Sequence, residues 1–319
     1  MSDTEYAIGV DVGGTKTAYG LYNEKLELVL QRRHDSNTAL SAERFFDMIT
    51  ENVREMLRDA KISPALVSGI GVALPSFIRA SDGVVLKTAN LPNIRNFNAQ
   101  KHLEKAFPCY SIVVGNDNHA AALSEHRYGA GRGHDNMLYC LMSTGLASGI
   151  IIDGKLFRGN LGYAGESGHM IVTPDIGLVC GCGNRGCISS YASGAMLAVH
   201  VTKWISSGER SIIPELAGGD AITAQHIDAA YQLGDKLAER AIEQMVQYAA
   251  VWLYNLYVTL NIDCFVFGGG ILKMETPVLS LVRKRFSTFS DDAPKVSFRM
   301  TELGDDFGVF AASRLLELL

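Results

Sequence analysis

No Lys/Arg-rich run longer than Arg283-Lys284-Arg285 stands out in the 319 residues, and 29 basic against 34 acidic residues leave a net charge of -5. That balance argues against the basic face by which a protein tracks a phosphate backbone, so small molecules are the expected partners and nucleic acid is not. An unbroken apolar span is also missing. The best candidate, residues 244–262, has no charge, but Gln244, Gln247, Asn255 and Asn261 interrupt it, and a bilayer needs about 20 predominantly apolar residues. A buried core helix is expected there, with no membrane partner. The opening Met1-Ser-Asp-Thr-Glu-Tyr6 lacks the basic and apolar regions of a secretory signal, which points to the cytoplasm. No Walker sequence G-x-x-x-x-G-K-[ST] occurs, and no low-complexity linker divides the chain. Cysteine is scarce, at six residues; Cys109, Cys140 and Cys264 lie in apolar, strand-like surroundings and are expected to be free buried thiols in a reducing compartment.

What is present, 47% hydrophobic and 20% charged residues, suffices for a substantial core and for two domains. Periodicity alternates strands with helices. Strands are expected at 6–12, 19–21 and 26–32, the last two joined by a turn at 23–25. A helix over 41–60, with Ser41 as its cap, precedes a buried strand at 67–74. After a loop around Asn90 come a helix at 99–106, a strand at 111–114 and a helix at 119–127, which puts residues 115–118 on a strand-to-helix turn. The second half repeats the plan. A strand at 137–142 ends in Ser143-Thr144-Gly145 and pairs with 149–152, Asp153-Gly154 makes a hairpin, and helices fill 193–207 and 223–261. A strand at 264–267 runs into Gly268-Gly269-Gly270, and a strand at 296–300 and a helix at 308–318 close the chain. The expected division is an α/β lobe of residues 1–117 that takes in the C-terminal helix of about 303–319, and a larger α/β lobe of 118–302.

The remaining three cysteines fall within eight residues, Cys180-Gly-Cys182-Gly-Asn-Arg-Gly-Cys187, with His169 eleven residues upstream. Three thiolates and an imidazole form a complete tetrahedral zinc set, and the interleaved glycines let the backbone fold tightly around one ion. With four protein ligands no position stays open, so the ion is expected to be structural. The competing reading is a loop whose cysteines hold nothing.

Three glycine turns suit phosphates. Asp11-Val-Gly13-Gly14-Thr15-Lys16 lies between two strands, so its glycines do not open a helix as a dinucleotide fingerprint requires. They would instead let backbone N–H groups approach phosphate oxygens, with donors from Thr15 and Lys16 and with Asp11 holding the water shell of Mg²⁺. Thr144-Gly145 is the equivalent hairpin of the second half, and Gly268-Gly269-Gly270 follows a strand where an adenosine would rest. Asp117 is the candidate general base for a hydroxyl attacking phosphorus; the alternative is that it merely caps the following helix. Glu166 and His169 offer the directional acceptors that a polyol needs.

Taken together, Asp11-Val-Gly-Gly-Thr15, Asn90-Leu-Pro92, Asn116-Asp117, Thr144-Gly145, Glu166-Ser-Gly-His169, the cysteine segment and Gly268-Gly-Gly270 make the chain resemble the ROK family of sugar kinases and sugar-responsive repressors. The resemblance spans nearly the whole chain. It implies a two-lobed actin-like ATPase (ribonuclease H-like) α/β fold with a zinc-binding loop, and phosphoryl transfer from ATP with Mg²⁺ to a hexose hydroxyl, usually on carbon 6. Asp117 would be the base. Asn90, Asn116, Asp117, Glu166 and His169 would hold the sugar, and Ser76 and Ser189 stand at sugar-facing positions. His169, Cys180, Cys182 and Cys187 would hold structural Zn²⁺. Members of the family are commonly dimers or larger. Its repressors carry a DNA-binding module ahead of the first glycine turn, whereas ten residues precede Asp11 here, which disfavours that role. The chain departs from the family at three positions: Ser189 stands where a sugar-binding glutamate is usual, Ala147 where the second phosphate turn has glycine, and Ser76 where glycine is common. These departures leave the sugar open among glucose, fructose, allose and amino sugars, and the alternative is a sugar-binding protein with weak or no catalysis.

Overall fold

The computed structural model describes residues 5–88, 90–290, 295–304 and 307–319. In chain order the first elements are β1 (Tyr6–Val12), β2 (Lys16–Tyr22), β3 (Leu28–Asp35), α1 (Ala42–Ala60), β4 (Val67–Leu74), β5 (Ser76–Arg79), β6 (Val84–Thr88), β7 (Arg95–Asn98), α2 (Ala99–Ala106), β8 (Ser111–Asn116) and α3 (Asp117–Tyr128). They are followed by β9 (Met137–Met142), β10 (Leu146–Ile152), β11 (Lys155–Phe157), α4 (Ser189–Ala192), α5 (Gly194–Ser206), α6 (Ile213–Ala217), α7 (Ala224–Gln232), α8 (Lys236–Leu260), β12 (Cys264–Gly268), α9 (Val278–Phe286), β13 (Ser297–Met300) and α10 (Phe307–Arg314).

The residues group into two compact units, one of Met1–Asp135, Gly149–Gly165 and Glu302–Leu319, the other of Asn136–Ser148 and Glu166–Thr301. The first unit thus extends past residue 117. α3 stays with it because its turns pack on α10, and Gly149 joins because a Cβ there would lie 2.4 Å from the Ala122 methyl.

In the first unit a sheet of order β3-β2-β1-β4-β8 has β1 antiparallel to β2 and parallel to β4. Alternation along β1 sends Ile8, Val10 and Val12 to one face, where they pack with Phe45, Phe46, Ile49, Val53 and Met56 of α1. Ser41 caps α1 by accepting the Arg44 N–H, and Lys61 ends it in the left-handed region. The opposite face is built of small residues. A Cβ on Gly9 would stand 1.9 Å from the Val309 carbonyl oxygen, and one on Gly71 1.9 Å from that of Ala312. α10 therefore lies directly on the strand backbones, a packing open only to glycine at those two positions. Asp11 is on this face as well.

Strands β9, β12 and β13 run parallel in a second sheet of order β11-β10-β9-β12-β13. Asp153 and Gly154, both with positive φ, turn β10 into β11. The expected helix over 223–261 is two helices. Gly234, at φ 78°, breaks it, and the Asp235 carboxylate restarts the chain as the cap of α8 by accepting from Leu237 and Ala238 N–H. Among the described residues no helix is long and apolar enough to cross a membrane. The sheet of β5, β6 and β7 was not expected from the sequence. Cys140 and Cys264 are buried as expected, but Cys109 is exposed, because it falls in the turn between α2 and β8 rather than in the strand.

Candidate active site

In the first unit the turn of Gly13, Gly14, Thr15 and Lys16 is closed by the Gly13 N–H on the Lys16 carbonyl at 2.9 Å. Ser36 braces it from β3's end: its N–H donates to Thr15 O, its hydroxyl to Gly13 O, and Thr17 Oγ1 lies 2.8 Å from Ser36 Oγ. A Cβ on Gly14 would lie 3.1 Å from the Asn90 side chain, so that side chain packs against the turn. Thr15 and Lys16 are exposed. Ser36 and Thr17 had no local sequence signal; their pairing follows from the β2–β3 register.

Asp117 is not the cap of α3. Asn116 is: its Oδ1 accepts the N–H groups of Asn118 at 2.9 Å and His119 at 3.1 Å, while its Nδ2 donates to the Ser76 carbonyl at 3.1 Å. Asn116 has the extended backbone and the short side chain that a cap requires, which leaves Asp117 as the first helical residue. Burial pushes the Asp117 carboxyl up to about 6, against the backbone N–H groups that hold the shift in check. Asp11 is raised to about 6, by burial first and by the charge of Asp117 second, with Arg33 pulling the other way. Register places Arg33 two strands from Asp11, since Arg33 pairs with Ala18 and Ala18 with Asp11. Two desolvated carboxylates, the charge of Asp117 adding to the shift of Asp11, form a site suited to a hard cation. Ser76 is 4% exposed, and its Oγ is buried without a hydrogen-bond partner.

The second unit contains a cavity of about 1020 Å³. Ser143, Thr144, Gly194, Ala195, Gly270 and Ile271 line part of its wall, and helices α5 to α7 supply most of the rest. The three glycines at the end of β12 differ in their surroundings. A Cβ on Gly268 would stand 2.2 Å from the Tyr139 hydroxyl, and one on Gly269, itself at φ 113°, would stand 2.2 Å from Met142 O; both are packing residues. Gly270 alone faces open space, with Ser143 Oγ 3.9 Å away. The turn at Thr144 and Gly145 is exposed, whereas Ala147 is buried inside β10.

In the same unit the ligand atoms of His169, Cys180, Cys182 and Cys187 all lie within 4.8 Å of one another. Cys182 and Cys187 sulfurs are 3.7 Å apart, and Cys180 Sγ is 3.5 Å from His169 Nδ1. A tetrahedral ion with Zn–S bonds of about 2.3 Å spaces its sulfurs roughly 3.7 Å apart, so the geometry and the donor set both fit zinc. Gly186, at φ 77°, turns the chain where a Cβ would meet Thr173 O. With Nδ1 toward the thiols, His169 places Nε2 3.9 Å from Glu166 Oε2. Ser189 is buried, and its Oγ accepts the Leu146 N–H at 3.3 Å.

Comparison with known proteins bears on this arrangement. A model of the ROK family matches residues 7–317. A glucokinase of Halalkalibacterium halodurans is 30% identical over 99% of this chain and 96% of its own length. The N-acetylgalactosamine kinase AgaK of a Shewanella species is 26% identical over 96% of this chain and 95% of its own. The crystal structure of a ROK family glucokinase from Streptomyces griseus, in complex with glucose and AMPPNP, is 31% identical, covers 98% of this chain and 100% of that one, and superposes with a TM-score of 0.80.

Proposed function

Because the chain belongs to the ROK family and has its actin-like ATPase fold, we propose that it is an ATP-dependent hexose kinase that uses Asp117 as general base. The observation that carries this reading is the state of Asp117: a carboxylate at a helix start that Asn116 caps, held through Oδ1 by the backbone and amide of Asn118, with burial raising its affinity for a proton. At pH 7 a carboxyl of pKa about 6 is mostly ionised, yet more basic than an ordinary aspartate. It takes the proton of the sugar's 6-hydroxyl as that oxygen bonds to the γ-phosphorus of ATP; the bond from phosphorus to the bridging oxygen breaks, and ADP departs with the electron pair.

Within the first unit, Asn90 and Ser76 bind the sugar, and the orphaned Ser76 hydroxyl gains a partner when a sugar hydroxyl reaches it. Asn116, assigned to the sugar by resemblance, acts mainly by holding the turn, since its carbonyl and amide are both engaged there. The turn at Gly13 to Lys16 takes phosphate oxygens. Bound with ATP, Mg²⁺ would sit by Asp11 and neutralise phosphate charge. Within the second unit, Glu166 and His169 contact sugar hydroxyls, Thr144 and Gly145 contact phosphates, and the cavity beside Gly270 takes the adenosine, for which its volume is ample. Zinc on His169 and the three cysteines would cross-link the loop and fix the His169 ring.

ADP formation from MgATP across glucose, mannose, fructose, allose, galactose and N-acetylated hexosamines tests the proposal, with Asp117→Ala as control. Activity on one sugar that vanishes in the control supports it. Absence of turnover on every sugar by folded, zinc-loaded protein points instead to a sugar-binding protein without catalysis.

A further inference from the structure

We propose that Ser189 is a positioning residue that ties the metal loop to the phosphate turn of the second unit, so that metal and nucleotide bind cooperatively. This rests on the reading of Ser143 to Gly145 as a phosphate turn. Ser189 stands two residues after the metal ligand Cys187, in a segment pinned by the Ile188 N–H on Met170 O and the Ser190 N–H on Cys187 O, both at 2.9 Å. From there three hydrogen bonds reach the turn. Ser189 Oγ accepts from Leu146 N at 3.3 Å, Gly194 N donates to Ser143 O at 2.9 Å, and Ala195 N donates to Thr144 O at 3.4 Å. Residues 189–195 therefore connect the metal loop with both ends of the turn.

Gly168 closes the junction from a third side. A Cβ there would lie 2.0 Å from Leu146 O and 2.4 Å from Ser189 Oγ, so the residue preceding the ligand His169 is packed on the same two groups. Two of the four metal ligands are thus one or two residues from the Leu146–Ser189 contact. Because Ser189 is 7% exposed and its hydroxyl is engaged with the backbone, its position suits holding the turn better than holding a sugar. Such coupling is reciprocal: whatever the metal adds to nucleotide affinity, the nucleotide adds to metal affinity.

The test is calorimetric titration of MgADP into zinc-loaded wild type and Ser189→Ala, together with the rate of zinc release to a chromophoric chelator with and without ADP. Removing the hydroxyl leaves Leu146 N–H buried and unpaired, so ADP affinity is expected to fall about tenfold, with a matching rise in KM for ATP and an unchanged KM for the sugar. ADP should slow zinc release from the wild type but not from the variant. Unchanged ADP affinity and an unchanged ADP effect on zinc release overturn the proposal, as does a loss confined to sugar affinity. If the wild type itself binds no ADP, the kinase reading fails, and this inference fails with it; a wild type that binds ADP beside an unaffected variant sinks the inference alone.

Discussion

Asn116 caps the helix that Asp117 begins, its Oδ1 accepting the N–H groups of Asn118 and His119, while Asp117 turns only its Oδ1 to Asn118, accepting from the backbone N–H at 2.9 Å and from Nδ2 at 3.1 Å. Asn116→Ala is therefore expected to cost about 1–2 kcal/mol of stability through the lost cap and to lower kcat by misplacing Asp117. Urea denaturation and steady-state kinetics on one preparation measure both. A variant with normal stability and normal kcat would contradict this role.

The raised Asp117 carboxyl fixes the sign of two pH effects. If Asp117 is the base, the reaction needs its ionised form, so kcat/KM should climb with pH through about 6 and level off above it. Stability of the apo-protein should do the reverse. The folded state holds this proton more tightly than an unfolded chain, whose aspartates titrate near 3.8, so the stability this group contributes is fully present below about pH 4 and is lost as pH rises through about 6. Asp117→Asn, which cannot ionise, should then be more stable than the wild type at pH 7 by about 1–2 kcal/mol. Thermal unfolding at pH 4.5 and pH 7 reads the crossover; an equal or lower melting temperature for the variant at pH 7 would refute it.

Gly9 and Gly71 offer a check on the fold that is independent of function. A methyl at either position points at an α10 carbonyl oxygen 1.9 Å away, so Gly9→Ala or Gly71→Ala should destabilise by about 3 kcal/mol or more. Either variant unfolding within about 1 kcal/mol of the wild type would show that α10 does not lie on those strands.

Zinc removal makes a fourth prediction. A zinc ion held by the three clustered cysteines and His169 would cross-link the loop, so on its removal the melting temperature should fall, and recover on adding zinc. Metal analysis beside differential scanning calorimetry decides it, and identical curves for verified metal-free and loaded protein would exclude a structural metal.

The parts most legible from sequence were those in which neighbouring residues carry the signal: the amphipathic spacing of α1 with Ser41 ahead of it, and a cysteine cluster whose glycines already implied a tight loop. Parts set by distant contacts were not legible. Ser36 braces the first glycine turn only because β2–β3 register brings it back, and Gly268 and Gly269 serve packing because Tyr139 and Met142 lie against them. The β5–β7 sheet escaped notice because its strands are short and partly polar, as in Arg95-Asn-Phe-Asn98. Whether Asn116 or Asp117 caps α3 is a matter of one residue, since Asn and Asp are nearly equal caps and only backbone geometry separates them.

The most direct measurement is transfer of labelled γ-phosphate from ATP to the preferred hexose by wild type and Asp117→Asn, with sugar and MgADP affinities measured on both. A general base that acts only in the transition state requires kcat to fall by about 10²–10⁴-fold with both affinities within about threefold of the wild type. Retention of wild-type turnover by Asp117→Asn would contradict the account.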